Sequence, residues 1–215
     1  MAMATRNKSS EQQLRQRQRI MHFAARFMAQ DGVDSYLVAK QKAAQQMGIT
    51  ASHRLPSNRE IELAFREYQR IFQGNTQPQQ LHKLRLGARD AMRFFERFNP
   101  RLVGPVLIGS AGEYTEVTLH LFTDTPENVG LFLLDRAIAY KLGERHLRID
   151  ASTVTSTPAY RFTAGDIPIE LAVFPLKGLR QAPQSPVDGK PMRRASIAEV
   201  ELLIEETECV DGLAI

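Results

Sequence analysis

Apolar residues recur every three or four positions through the first hundred residues, then every second position in several later stretches. The first spacing belongs to helices with one buried face and the second to strands. Leu14, Ile20, Phe23, Ala24, Phe27 and Met28 predict a helix from Glu11 to Gln30, preceded by a polar, disordered stretch over 1–9. DGVDS breaks it. Asp34 is placed to cap a second helix, YLVAKQKAAQQMG, which ends at Gly48. Ser57 or Asn58 caps a third, REIELAFREYQRIFQG, whose apolar face is Ile61, Ala64, Phe65, Tyr68, Ile71 and Phe72. GNTQPQQ reads as a linker. A fourth helix runs to about Phe98, burying Leu81, Leu84, Ala88, Ala91, Met92 and Phe95, and NPRLVGP ends it.

The pattern changes after Pro105. Val106, Leu107 and Ile108 read as a short buried strand. EVTLHLF alternates, with Val117, Leu119 and Leu121 on one face and Glu116, Thr118, His120 and Phe122 on the other. TPENVGLFLLDRAIAYKLG reads as a helix, with Thr125 as its cap and Pro126 at its first position. RHLRID predicts a strand. AYRFTAGDIPIELAVFP predicts a hairpin turning near Gly165-Asp166. A Pro/Gly-rich loop, PLKGLRQAPQSPVDGKPMRR, leads to an acidic helix over Ala195–Glu208. The implied fold class is α+β: an N-terminal helical region over 1–76, then a mixed β-sheet with flanking helices over 77–215.

Charge divides the chain in the same way. Residues 1–101 carry 18 Lys/Arg and 8 Asp/Glu, a net of +10, whereas residues 102–215 carry 10 and 16, a net of −6. A basic half suits an anionic partner such as RNA or DNA, and Arg15, Arg17, Arg19, Arg59, Arg66 and Arg70 are the residues to carry that contact. The alternatives are a solvated Arg-rich surface or a basic half docked on an acidic one. No apolar run reaches the roughly 18 residues of a membrane span, and the N-terminal segment lacks a signal-peptide core. Cys209 is the single cysteine, so no internal disulfide forms. These features imply a cytoplasmic, bacterial-type protein with no membrane partner. No repeat, zinc-type cluster or Walker loop occurs.

The strand ending in Gly109-Ser110, the strand EVTLHLF, the helix after it and the strand IPIELAV stand in an order that carries a resemblance. Residues of about 79–175 resemble the DNA polymerase beta type nucleotidyltransferase superfamily, most closely its small bacterial members. The resemblance covers somewhat under half of the chain. It implies a nucleotidyltransferase-like sheet, a Gly-Ser turn whose backbone N–H groups approach a triphosphate, and two metals held by paired carboxylates on the second strand. Two metals about 3.5–4 Å apart stabilise both the attacking and leaving oxygens. A third carboxylate on a neighbouring strand helps activate the attacking hydroxyl. Here Gly109, Ser110 and a third carboxylate, Glu170, are present. The acidic pair falls at or near Thr118 and His120, and the loop after Gly-Ser is short. PVDGKPMRRAS also looks like a family-type motif, without a role that can be assigned.

Several readings of these residues stay open. Glu116, His120 and Glu170 could form a rebuilt metal site for Mg or Mn, with His120, Glu170 and Asp124 as the catalytic set of an active enzyme. Gly109, Ser110, Lys190 and Arg193 could bind nucleotide. Each also has a structural reading: a strand-ending turn, a hydrogen-bonding histidine, a solvated strand glutamate. Lys190, Arg193 and Arg194 could contact phosphate or neutralise the acidic last helix, and Tyr114 could stack on a base or merely pack. Three functions follow. The first is a degenerate nucleotidyltransferase-fold protein that binds nucleotide or nucleic acid. The second is an active transferase moving a nucleotidyl group from a nucleoside triphosphate to RNA, protein or a small molecule. The third is a regulatory interaction module, with a homodimer among its forms, docking through its acidic helix or the apolar faces of its N-terminal helices.

Overall fold

A computed structural model describes residues 2–49, 55–74, 76–150 and 152–212. They form a mixed α+β fold in which helices precede a five-stranded sheet. The chain divides into two compact units, residues 1–77 with 186–188 and residues 78–185 with 189–215. No helix among the described residues is long and apolar enough to cross a membrane.

The helical unit holds α1 (Ala2–Gln30), α2 (Tyr36–Gln46) and α3 (Asn58–Phe72). The first helix begins nine residues before its predicted start, and the backbone of 2–9 is helical rather than disordered. No Pro or Gly interrupts Ala2–Gln30, so nothing in the sequence stops the helix from extending. Ser35, rather than Asp34, caps α2. Ser57 caps α3 in a reciprocal capping box: its Oγ accepts from Glu60 N at 3.3 Å and its N donates to Glu60 Oε2 at 2.7 Å. Ile20, Ala24, Ala39, Ala43 and Ile61 form the core between the three helices, and Ala25, Ala29 and Phe65 extend it. Small residues at these positions let the helix backbones approach closely. Arg17 clamps α1 to α3, donating from Nε and Nη2 to the two Glu60 oxygens at 2.9 and 2.6 Å. Arg17 and Ser57 together hold the Glu60 carboxyl down to about 2.

The sheet unit begins with α4 (Gln77–Phe94), so the predicted linker GNTQPQQ already enters a helix at Gln77. The strands are β1 (Arg101–Val103), β2 (Val117–Phe122), β3 (Lys141–Arg148), β4 (Val154–Ala164) and β5 (Ile167–Phe174), in the order β1-β2-β5-β4-β3. Only the β2–β5 pair is parallel, with Thr118 opposite Glu170 and His120 opposite Ala172. Gly165, at φ +63°, turns the β4–β5 hairpin. The predicted strand over Val106–Ile108 is instead a one-turn helix, α5 (Pro105–Ile108), and the strand lies earlier, at Arg101–Val103. Pro105 presets the first helical φ, and Gly109 takes a left-handed φ of +87° that closes the turn. The helix predicted from Thr125 shortens to α6 (Glu127–Leu134), and the last helix is α7 (Ile197–Gly212).

Alternation gives the sheet two unlike faces. Leu119, Leu121, Ile169, Leu171 and Val173 point to the first, where residues from α4 to α7 pack on them in one apolar core. Thr118, His120, Phe122, Glu170, Ala172 and Phe174 point to the second. Leu119→Ala should therefore cost about 2–5 kcal/mol, the range for emptying a closed core site. Ser57→Ala should cost about 1 kcal/mol through the lost cap. Urea denaturation followed by circular dichroism measures both; a Leu119→Ala loss no larger than that of Ser57→Ala would contradict the placement of the core.

Candidate functional site

The second face of the sheet is polar in sequence and buried in fact. Thr118, His120 and Glu170 are 7%, 1% and 1% exposed, so this polar face is covered. The cover comes from the long loop after β5. Residues 176–179 form a short 3-10 helix, and Ala195 exchanges two backbone hydrogen bonds of 2.9 Å with Leu102 on the outer edge of β1. That pairing turns Arg194 onto the second face.

Arg194 lies across this face. Its Nε donates to His120 Nδ1 at 3.1 Å and its Nη1 donates to the Gly178 carbonyl at 2.6 Å. The guanidinium carbon sits 4.9 Å from the centre of the Phe122 ring and 5.3 Å from that of Phe174. Burial, with Arg101 nearby, lowers the Arg194 pKa to about 10. An imidazole that accepts at Nδ1 carries its proton on Nε2 and is neutral. Burial holds the His120 pKa well below its ordinary 6.5, and the positive charges of Arg194 and Arg145 push it the same way.

Glu170 faces two cations. Arg161, its cross-strand neighbour on β4, pairs with Oε1, and Arg145 on β3 pairs with Oε2. A carboxylate this deeply buried requires such partners, because an unpaired charge in a dry site is costly. The face thus carries Arg101, Arg145, Arg161 and Arg194 around one buried carboxylate and one neutral histidine.

Of the residues singled out in the sequence, His120 and Glu170 share the covered face, whereas Glu116 and Asp124 lie apart from it. Glu116 precedes β2 and is exposed, so it does not share the covered face with His120. Asp124 follows β2 at the surface and accepts from Leu176 N at 3.0 Å, which starts the 3-10 turn. Among the described residues, no group of three or more His, Cys, Asp or Glu is placed to hold a metal. The proposed ligand set of Glu116, His120 and Glu170, and the catalytic set of His120, Glu170 and Asp124, are therefore not assembled: His120 Nδ1 is taken by Arg194 and Glu170 by two arginines. Gly109 N and Ser110 N both donate to Pro105 O, at 2.9 and 3.0 Å, so the turn spends on its own helix the N–H groups that the resemblance assigns to a triphosphate. Lys190 is exposed, and its carbonyl accepts from Ser185 N. Arg193 is exposed and helps hold the Glu199 carboxyl below its usual range, after the stronger effect of Ser196 at the α7 cap. Tyr114 is exposed.

Comparison with known protein families, curated proteins and solved structures finds no match.

Of the arginines singled out in the helical unit, Arg17 is held by Glu60, Arg66 pairs with Glu62 at 2.8 Å, and Arg70 lies 3.7 Å from Glu67. Arg15, Arg19 and Arg59 are exposed and make no ion pair among the described residues. Arg15 and Arg19 share one helical stripe with the exposed His22 and Arg26. Arg101, Arg145 and Arg161 escaped the sequence reading. Alternation puts Lys141, Gly143 and Arg145 on one face of β3, but only the strand order brings that face beside Glu170.

The histidine gives a pH dependence whose sign is fixed. Its folded pKa lies below its unfolded value, so the unfolded chain binds more protons below about pH 6.5. The stability it contributes is complete above that pH and is lost as pH falls. The wild type should lose up to about 1.4 kcal/mol per pH unit from this group, and His120→Gln should flatten that part of the profile. Denaturant melts at pH 7.5, 6.5 and 5.5 measure it; parallel profiles for the two proteins would contradict a buried neutral imidazole.

Proposed function

We propose that this chain binds nucleotide or nucleic acid through phosphate, on a nucleotidyltransferase-like sheet that works without two-metal transfer. The observation that carries the reading is the composition of the second face. Where the resemblance calls for metal carboxylates there are Thr118 and His120, and the nearby Glu170 is neutralised by Arg145 and Arg161. Magnesium takes hard oxygen ligands and keeps several waters. A face lined by guanidiniums, with its one carboxylate already paired, suits an anion instead. The unpaired Arg15, Arg19 and Arg59 of the helical unit support a second contact with a polyanion.

Isothermal titration of adenosine nucleotides and a short single-stranded oligonucleotide tests this. Nucleotide should bind equally in magnesium and in EDTA, and labelled triphosphate should transfer no label. Three phosphate contacts on a single strand predict a roughly 20-fold loss of oligonucleotide affinity for a fourfold rise in salt. Binding that requires magnesium, or label transfer lost in Glu170→Gln, would support a transferase instead. No binding of either ligand would remove the proposal.

A further inference from the structure

Among the described residues, Arg194 and Arg101 sit in no salt bridge. Arg194 is half-buried and forms no ion pair; two of its nitrogens are satisfied by His120 and Gly178, and its buried Nη2 has no hydrogen-bond partner. Arg101 points to the same face, opposite His120 across the β1–β2 pair, and among the described residues its guanidinium donates to the carbonyl of Pro100 at 2.9 Å. Arg145 reaches the same region from β3 while pairing with Glu170, and its side chain is 36% exposed. Glu199 feels the charge of Arg101, and its Oε2 accepts from Ser196 N and Oγ at 2.7 and 2.8 Å.

Burying a guanidinium costs free energy that a carboxylate ordinarily offsets. Here the Phe122 and Phe174 rings offer only their faces, which attract the cation without neutralising it. The backbone around Arg194 is nevertheless fixed. Met192 N donates to Pro183 O at 2.7 Å, and Ala195 is tied to Leu102 in both directions. The segment PVDGKPMRRAS thus acquires a role: it holds one uncompensated cation beside another. A group pinned in place at an electrostatic cost, with donors unspent, is arranged for an incoming anion.

We infer that Arg194, Arg101 and Arg145 form an oxyanion site on the second face of the sheet, whose ligand is a phosphate monoester dianion bound without metal. This rests on the reading above that the sheet unit binds phosphate, and it names the residues and the charge state. Two unpaired guanidiniums match two negative charges, and their planar forks present donors to several phosphate oxygens at once. His120 is a positioning residue, holding the Arg194 fork through Nε.

The test is isothermal titration of the full chain in EDTA with inorganic phosphate, AMP, a sugar phosphate and adenosine. Phosphate and both monoesters should bind and adenosine should not. Arg194→Gln and Arg101→Gln should each weaken phosphate binding about tenfold or more, the loss expected for a charge-assisted hydrogen bond. Arg180→Gln, on the exposed loop, should leave it unchanged. Arg101 lies at the sheet edge, so Arg101→Gln carries the test if Arg194→Gln fails to fold by circular dichroism. Phosphate affinity unchanged in Arg101→Gln and in any folded Arg194 variant would overturn the site, as would no phosphate binding by the wild type. AMP binding that survives both substitutions also overturns it while leaving the nucleotide reading intact. A sugar phosphate binding as tightly as AMP, with loss in both variants, supports the site and counts against the nucleotide reading.

Discussion

The buried carboxylate of Glu170 sets the chemistry of the whole second face. β5 lies between β2 and β4, so a glutamate directed to this face is enclosed. It is tolerated because β4 supplies Arg161 as its cross-strand neighbour and β3 supplies Arg145. Removing one partner of such a pair costs far more than the pair contributes, so these contacts specify the arrangement more than they stabilise it. With the carboxylate spent on arginines, the face has no ligand set for a hard cation, and Arg194 and Arg101 stay uncompensated beside it. The neutral state of His120 follows first from its burial and then from the same excess of positive charge.

Much of the fold was legible because local signals agreed with one another. Ser57 three residues before Glu60 marked the α3 cap, and the alternation in EVTLHLF and IPIELAV marked β2 and β5. The failures have identifiable causes. Val106–Ile108 is too short to show a period, and an apolar run reads equally well as strand or helix. The flanking Pro105 and Gly109 held the answer, since that pair brackets a helical turn. The stretch over 1–9 has no apolar stripe to reveal a helix, so it reads as a disordered start.

The site was less legible than the fold, and distance explains it. Strand alternation placed His120 and Glu170 on one face correctly in direction but left open whether that face meets water. Its cover, the loop ending at Arg194, lies 74 residues beyond His120. Arg145 and Arg161 reach Glu170 through strand order, which periodicity does not reveal. In the helical unit, composition counted Arg17 and Arg66 as available charge although Glu60 and Glu62 hold them. Charge counts mark a surface; ion pairs decide how much of it remains for a partner.

Anomalous diffraction from crystals soaked in parallel with manganese and with tungstate, a phosphate mimic, tests the central claim most directly: that this face receives an anion and not a metal. The account predicts tungstate beside Arg194 and Arg101, with Glu170 still bound to Arg145 and Arg161, and no manganese on the face. Manganese held by Glu170 and His120, with Arg194 displaced from Nδ1 and Arg145 and Arg161 swung away, would contradict it.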